Sequence, residues 1–408
     1  MSTTTIAARS STLTIGLCFI VALLEGMDIQ SAGIVGPSLA AHFSLSSSAL
    51  GLVFSASIMG LLPGALVGGW LADKVGRKSV LIAAVTMFGV FSLATTVAWN
   101  YESLLAARFL TGLGLGAAMP NLIALCAETV EQSFHGTAVS MMYCGMPLGG
   151  ALAAAIGLTG TEETWKTVFY VGGVGPLLIV PLLYWWLPES PAFRAQKSAG
   201  TAQGRADWRG LFQHDTARST ILLWVGFFFT LMVLFILQNW LPTLLRGLGF
   251  SRIEATTVQI VLNVGGALGA LILGRLLDRW NVAQLVVLMY CGILVALGGL
   301  GLSNHLTAMV IAGFTAGFFS IGGQLVLYAL VPRFYPTAIR GTGVGAAVSV
   351  GRLGSMSGPL LAGQMLAAGS GAATVLMATT PGVLVAAVSM LFLLNGRRQM
   401  QQSSSLTE

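Results

Sequence analysis

The chain has 408 residues, of which only 8% are charged and 55% are hydrophobic, and glycine contributes 52 of them. Soluble proteins carry about 25% charged residues, and a soluble chain of this length could not cover its surface with so few charges. The composition excludes a soluble enzyme, a nucleic-acid binder and a disordered scaffold. All four cysteines lie in apolar segments, which predicts small buried side chains and no disulfide framework.

Apolar segments long enough to cross about 30 Å of hydrocarbon as helices follow one another along the chain. We number them as spans 1 to 12 in chain order: 13–36, 48–72, 79–98, 102–126, 134–158, 165–187, 218–241, 252–276, 282–302, 305–331, 338–367 and 372–395. They predict an all-α membrane protein with twelve transmembrane helices. We expect an N-terminal six-helix bundle at 1–187, a cytoplasmic linker at 188–217, a C-terminal six-helix bundle at 218–395 and a cytoplasmic tail at 396–408.

Positive charges orient these spans, because cytoplasmic loops of membrane proteins are enriched in lysine and arginine. With both termini in the cytoplasm, 15 of the 20 lysines and arginines fall on the cytoplasmic side, three (Lys166, Arg246 and Arg252) fall outside and two (Arg108 and Arg352) lie within spans. We therefore expect a multi-pass membrane protein with both termini in the cytoplasm. The basic balance reports orientation in the lipid bilayer and requires no nucleic acid, and no protein partner is evident, so a monomer is expected.

A shift of 205 residues aligns the chain with itself without gaps. Four glycines and one aspartate coincide: Gly60, Gly64, Gly112, Gly149 and Asp73 fall on Gly265, Gly269, Gly317, Gly354 and Asp278. Such matches indicate shared backbone geometry, whereas matches between leucines would mean little in so apolar a chain. Two six-helix halves in pseudo-two-fold relation are the usual build of secondary transporters, which hold their substrate near mid-membrane between the halves.

Three motifs in the first half resemble those of the major facilitator superfamily. The loop after span 2 reads Gly69-Trp-Leu-Ala-Asp73-Lys74-Val-Gly76-Arg77-Lys78 and is similar to the signature G-x-x-x-D-(R/K)-x-G-(R/K)-(R/K). Span 4 carries Arg108-x3-Gly112-x-Gly114-x-Gly116, and span 6 ends in Leu187-Pro188-Glu189-Ser190-Pro191. The resemblance implies alternating access, with Asp73 near a helix N-terminus. It also implies a cytoplasmic gate of charged residues: Asp73, Arg77, Lys78, Glu189, Asp278 and Arg340.

Within the superfamily, span 1 resembles one family more closely. Its sequence Glu25-Gly26-Met27-Asp28 is similar to the acidic-Gly-x-Asp signature of the aromatic acid:proton symporters. Segments 120–125 and 350–363 look most like the bacterial members that transport hydroxyphenylpropionates and hydroxycinnamates. The resemblance implies a proton-coupled importer of an aromatic carboxylate, such as 3-(3-hydroxyphenyl)propionate or a hydroxycinnamate, that lies in a bacterial inner membrane and serves aromatic hydrocarbon catabolism.

Four ionisable residues lie well inside spans. Burying a charged side chain in a membrane costs free energy, so each of these residues is a candidate for a functional role. At about 1.5 Å per residue, Glu25, Asp28, Arg108 and Arg352 come to one layer near mid-membrane. Glu25 and Asp28 share a helical face, and two carboxylates that close cannot both ionise easily in low dielectric. We expect one of them to carry the coupling proton while Arg108 balances the other. The planar fork of Arg352 suits a bidentate bond to the substrate carboxylate.

Each of these assignments has a structural alternative. Asp28 and Arg108 can form a purely structural ion pair, Glu25 can bond to backbone, and Arg352 can bind carbonyls or a group on span 5. Seven further polar residues within spans are candidate substrate contacts: Asn121, Tyr143, Gln238, Asn239, Asn263, Gln324 and Tyr328. Most polar groups in membrane helices instead form interhelical hydrogen bonds.

No sequence feature predicts a cofactor or a metal site. The histidines are scattered over span ends and loops, and the glycine-rich run 112–116 lies mid-helix, where it lets helices approach closely. Transport would then use an ion gradient or run downhill. The run Gly145-Met-Pro147-Leu-Gly149-Gly150 partly resembles an antiporter motif, so a proton-driven exporter of small organic compounds stays open. Import of another carboxylate, such as benzoate or muconate, stays open too, as does a transporter-like sensor.

Overall fold

The computed structural model describes residues 3–130, 134–159, 165–190, 193, 209–336 and 339–405. This part of the chain is helical almost throughout. The long helices, in chain order, are Thr3–Ile34, Ser47–Val75, Arg77–Thr96, Tyr101–Glu128, the pair His135–Tyr143 and Gly145–Thr159, Lys166–Trp186, His214–Gly247, Arg252–Arg279, Val282–Leu302, Leu306–Leu330, Arg340–Ala367, and the pair Ala372–Met377 and Thr380–Ser405.

Eleven of the described helical segments are long and apolar enough to cross a membrane. The remaining predicted span, span 11, is the helix Arg340–Ala367, whose 28 residues extend about 42 Å. Its seven glycines and two arginines leave it without a stretch as apolar as those in the other eleven. The predicted all-α membrane fold is confirmed.

An even number of spans puts both ends of the chain on one side of the bundle. We call this side the termini side, and we call the other the opposite side.

Several boundaries differ from the prediction. Span 7 begins at His214, not at 218, because Thr216 and Thr220 bond back to the turn Arg209–Phe212 through Gly210 O (2.6 Å) and Leu211 O (3.0 Å). A short helix, Gly36–Phe43, follows span 1 and was not predicted. The last helix continues to Ser405, beyond the expected start of the tail. Much of the predicted linker 188–217 lies outside the described residues.

Span 5 is interrupted at Cys144, where the prediction has one continuous helix. Pro147 lacks an N–H, so it cannot donate to the carbonyl of Tyr143 four residues before it. The chain keeps its direction because Cys144 N donates to Ser140 O at 3.1 Å and Leu148 N donates to Cys144 O at 3.4 Å. Tyr143 and Pro147 lie on either side of the interruption, and both are buried.

The 205-residue repeat is also a repeat of helix contacts. A Cβ on Gly112 would stand 1.9 Å from Ser57 O, and one on Gly317 would stand 1.7 Å from Leu262 O, which is 205 residues after Ser57. Gly149 meets Leu23 O and Gly354 meets Phe228 O in the same relation. Spans 2 and 4 therefore approach each other as spans 8 and 10 do, and span 1 approaches span 5 as span 7 approaches span 11.

Helix caps repeat with the same spacing. Ser46 Oγ accepts from Ala49 N at 3.2 Å at the start of span 2, and Ser251 Oγ accepts from Glu254 N at 3.2 Å at the start of span 8. Both caps satisfy backbone donors that a helix start leaves unpaired. The two halves are thus built on one plan, and the seam between them runs through the centre of the molecule.

Candidate functional site

A pocket of about 410 Å³, its open mouth included, lies between the two halves near the middle of the bundle. The N-terminal half lines it with Gly26, Ile29, Gln30, Tyr143, Met146 and Pro147, and the C-terminal half with Phe235, Gln238, Ile321, Gln324 and Arg352. Apolar walls with a few convergent polar groups are typical of a site for a small organic ligand. The single charged side chain among these lining residues is that of Arg352.

Glu25 stands next to this pocket, on the helix turn that carries Gly26. Its side chain is 1% exposed, and its Oε2 has no hydrogen-bond partner. Arg352, from the other half, is the cation that interacts electrostatically with Glu25. Arg352 makes no ion pair within 4 Å with any described side chain. The site thus joins a buried acid and a cation across the seam.

Asp28 has a different cation from that of Glu25. Arg108 Nη1 donates to Asp28 Oδ1 at 2.9 Å, and Arg108 Nη2 donates to the main-chain oxygen of Asp28 at 3.2 Å. The guanidinium also lies 5.3 Å from the ring centroid of Phe169. Asp28 Oδ2 and Arg108 Nε have no partner, although both side chains are fully buried. The predicted proximity of the two residues is therefore present, with one polar atom on each left unsatisfied.

Most of the other predicted substrate contacts gather at the pocket. Tyr143, Gln238 and Gln324 line it together with Arg352. Tyr328 lies behind Gln324, whose Nε2 donates to Tyr328 Oη at 3.0 Å. Tyr143 interacts electrostatically with Arg352, Tyr328 and Glu25. These side chains form one polar cluster that spans the two halves.

Three predicted asparagines lie elsewhere. Asn121 Nδ2 donates to Ala117 O at 2.8 Å, and Asn239 Nδ2 donates to Phe235 O at 3.0 Å, so each bonds to its own helix. Asn263 bonds to Gln30 across the seam. None of the three lines the pocket.

Gln30 is a site residue that the sequence reasoning missed. It lines the pocket, and its side chain accepts hydrogen bonds from Asn263 Nδ2 at 2.8 Å and from Gln259 Nε2 at 3.1 Å. Its position two residues after Asp28, on the same helix, was the one available signal. Gln259 was missed as well, because a lone glutamine within an apolar span does not by itself indicate a partner.

The two halves are joined on the opposite side of the bundle. Ser55 Oγ of span 2 donates to Met356 O of span 11 at 2.9 Å, and the rings of Phe54 and Trp240 meet edge to face at 5.0 Å. Arg252 at the start of span 8 donates to Gly157 O at the end of span 5. We call these contacts, with those of Gln30, the seam contacts.

A charged cluster occupies the termini side of the first half. Glu189 Oε1 accepts from the backbone N–H groups of Arg77 at 3.0 Å and Lys78 at 3.1 Å. This carboxylate lies at the N-terminus of the helix Arg77–Thr96, where a negative charge is favoured. Arg77 also forms an ion pair with Glu128, and Ser190 Oγ donates to the same Glu128 carboxylate. The sequence predicted Arg77, Lys78 and Glu189 here but not Glu128.

The other gate residues that the sequence predicted are Asp73, Arg340 and Asp278. Asp73 lies in the last turn of the helix Ser47–Val75, where it interacts electrostatically with Arg77. It was predicted near a helix N-terminus, but the carboxylate at the N-terminus of the next helix is that of Glu189. Arg340 is the first residue of its helix. The side chain of Asp278 lies outside the described part of the structure. Among the described residues, no cluster of three or more His, Cys, Asp or Glu residues could hold a metal ion.

A bundle of two repeated halves with a polar pocket at its seam defines a membrane transporter. The sequence profile of the Major Facilitator Superfamily matches residues 18–324 and 264–408, and the chain belongs to this superfamily. The 3-(3-hydroxy-phenyl)propionate transporter of Escherichia coli is 53% identical over 98% of this chain and 99% of its own length. The gallate transporter of Pseudomonas putida is 35% identical over 96% of this chain and 93% of its own.

Solved structures show the same fold at much lower identity. The D-xylose-proton symporter has a TM-score of 0.74 at 19% identity, over 93% of this chain and 97% of its own. A bacterial homologue of the human lysosomal transporter Spinster has a TM-score of 0.73 at 17% identity, over 95% of this chain and 97% of its own.

Proposed function

We propose that the protein is a proton-coupled importer of an aromatic carboxylate, with 3-(3-hydroxyphenyl)propionate or a hydroxycinnamate as its substrate. The observation that carries this proposal is the seam pocket, which Arg352 lines from one half while the buried, unpaired carboxyl group of Glu25 lies beside its lining residue Gly26 in the other. The 53% identity to a transporter named for 3-(3-hydroxy-phenyl)propionate supports this choice of acid.

The coupling follows from counting charges at the pocket. One arginine faces one buried carboxyl group, and a substrate carboxylate adds a second negative charge beside the same cation. Two anions so close in low dielectric cannot both stay ionised easily, so binding of the acid favours a proton on Glu25. A protonated Glu25 in turn leaves the guanidinium group of Arg352 to the substrate carboxylate. The proton must then raise the affinity for the acid by the same factor by which the acid raises the affinity for the proton. The proton and the acid therefore bind together and leave together.

The other pocket groups have roles that fit an aromatic acid. The ring would lie against Ile29, Phe235 and Ile321, and the polar cluster of Tyr143, Gln238, Gln324 and Tyr328 would bind ring hydroxyls. The buried Asp28–Arg108 pair holds span 1 against span 4 and takes part in coupling through the unsatisfied Oδ2. Asn121 and Asn239 have no role in this proposal.

In the membrane, the termini side would face the cytoplasm, as the distribution of positive charge predicts. The bundles 1–187 and 218–395 would rock about the pocket, with the seam contacts closing the periplasmic side in the conformation seen here. The cluster of Asp73, Arg77, Lys78 and Glu189, with Asp278 and Arg340 in the second half, would form the cytoplasmic gate when that side closes.

Uptake into proteoliposomes tests the proposal. Labelled 3-(3-hydroxyphenyl)propionate should accumulate under an imposed inward proton gradient, and a protonophore should collapse this accumulation. Unlabelled hydroxycinnamate should compete more strongly than benzoate or muconate. Release of preloaded acid under the same gradient, without uptake, would make the protein an exporter and would contradict the proposed direction.

A further inference from the structure

Gln30 both lines the pocket and joins the two halves. Its Nε2 donates to Asn263 Oδ1 at 2.9 Å, while its Oε1 accepts from Asn263 Nδ2 at 2.8 Å. Gln259 Nε2 donates to the same Oε1 at 3.1 Å. One side chain of span 1 therefore makes three hydrogen bonds to span 8, and all three amides are buried.

The surroundings hold this amide cluster in place. A Cβ on Gly150 would stand 2.1 Å from Gln30 Nε2, so the glycine on span 5 provides the space that the glutamine occupies. On the other side of the seam, Asn263 Nδ2 donates to Gln259 O at 3.0 Å and Gln259 Nε2 donates to Gln238 O at 3.2 Å. Gln238 lines the pocket as well, so the cluster connects two pocket residues through the seam.

We propose that the amide pair of Gln30 and Asn263 is a latch that determines how often the seam opens, and that Gln30 links this latch to the substrate pocket. Opening the opposite side requires spans 1 and 8 to separate, which breaks all three hydrogen bonds of Gln30. In the closed conformation the amides are buried and bond to one another, with Gln259 Oε1 alone among their polar atoms left without a partner, whereas in an open one water can hydrate all of them. The proposal depends neither on which acid is carried nor on proton coupling.

The physical consequence is a shift in population. Each buried hydrogen bond that is lost changes such an equilibrium by roughly two- to ten-fold. Gln30→Leu leaves Asn263 Oδ1 without its donor in the closed conformation, and Asn263→Leu leaves Gln30 Nε2 without its acceptor, whereas water can reach both atoms in the open one. Both single substitutions should therefore favour the open conformation.

Accessibility of the seam measures this shift directly. Ala255 is 1% exposed and lines a recess at the seam with Gly157 and Arg252, so Ala255→Cys supplies a reporter that is buried while the seam is closed. Right-side-out vesicles are treated with a membrane-impermeant maleimide, without substrate, and the chain without the reporter gives the background from the native cysteines. We expect Gln30→Leu and Asn263→Leu each to raise the labelling rate about ten-fold.

Thr257→Val is the matched control. Thr257 lies two residues before Gln259, is partly exposed, and donates to Ile253 O of its own helix at 2.8 Å, so its loss should leave labelling unchanged. The exchanged pair, Gln30→Asn with Asn263→Gln, keeps both amides and should restore slow labelling. If Gln30→Leu fails to assemble because the leucine does not fit beside Gly150, Asn263→Ala is measured in its place.

Unchanged labelling in Gln30→Leu and Asn263→Leu, at wild-type melting temperature, would overturn the latch. An equal rise in Thr257→Val would overturn it as well, since any loss of a polar group on span 8 would then suffice. Failure of the proposed transport reaction would leave the labelling result intact, because the reporter is read without substrate.

Discussion

Arg108 Nη1 lies 2.9 Å from Asp28 Oδ1, and neither side chain has exposed surface. Removing one partner of a buried ion pair costs about 3–5 kcal/mol, because it leaves an uncompensated charge. We therefore expect Arg108→Gln to lower the free energy of unfolding by about this amount.

The neutral pair tests the same prediction. Arg108→Gln combined with Asp28→Asn leaves no buried charge, so this double variant should be more stable than Arg108→Gln alone. Denaturant titrations in one detergent measure four chains: the wild type, the two single variants and the double variant. Additive losses from the two substitutions would show that the charges do not interact.

Transport by Asp28→Asn separates coupling from binding. This substitution keeps the size of the side chain but removes the titratable carboxyl group next to Arg108. Accumulation of the acid against its gradient should be abolished, while exchange of labelled for unlabelled acid persists. The assay is uptake and counterflow in the same proteoliposomes, and normal uphill uptake would exclude Asp28 from coupling.

Substitutions at Arg352 test recognition of the carboxylate. Lysine retains the positive charge but loses the planar fork, so Arg352→Lys should raise KM about ten-fold, and Arg352→Gln should raise it further. The rise should be absent for Arg333→Gln, an arginine outside the pocket lining. Equal KM values for wild type and Arg352→Gln would place the substrate carboxylate elsewhere.

The glycines of the repeat should be intolerant of a methyl group in both halves. Gly112→Ala and Gly317→Ala would each place a Cβ within 2 Å of a carbonyl oxygen on the neighbouring helix, at Ser57 and Leu262. We expect poor assembly and a melting temperature several degrees lower in both variants. Gly69→Ala, with no atom within 4 Å of the added Cβ, is the control. A melting temperature of Gly112→Ala equal to that of Gly69→Ala would contradict the close approach of spans 2 and 4.

The sequence predicted those features that backbone geometry and depth determine. Matching glycines at a spacing of 205 residues correspond to matching contacts, because a close helix crossing tolerates no side chain at that point. The proximity of Asp28 and Arg108 followed from counting residues along two spans of opposite direction.

The sequence did not predict in which direction each side chain points from its helix axis, and therefore which side chains would meet. Glu25 and Asp28 were expected to interact with each other, yet each has its own arginine, one across the seam and one within the same half. The Gln30–Asn263 contact joins residues 233 positions apart, and no local pattern indicates which of several polar side chains would meet. The partner of Arg77 was missed for the same reason, since Glu128 is 51 residues away and on another helix.

The most direct test of proton coupling is a simultaneous record of acid and proton entry. Vesicles without an imposed gradient, loaded with a pH-sensitive dye, receive 3-(3-hydroxyphenyl)propionate from outside, and protein-free vesicles and Arg352→Gln correct for passive permeation. We expect acidification of the lumen in step with acid uptake, and its loss in Glu25→Gln. Acid entry without acidification, or unchanged acidification in Glu25→Gln, would contradict coupling at the Glu25–Arg352 site.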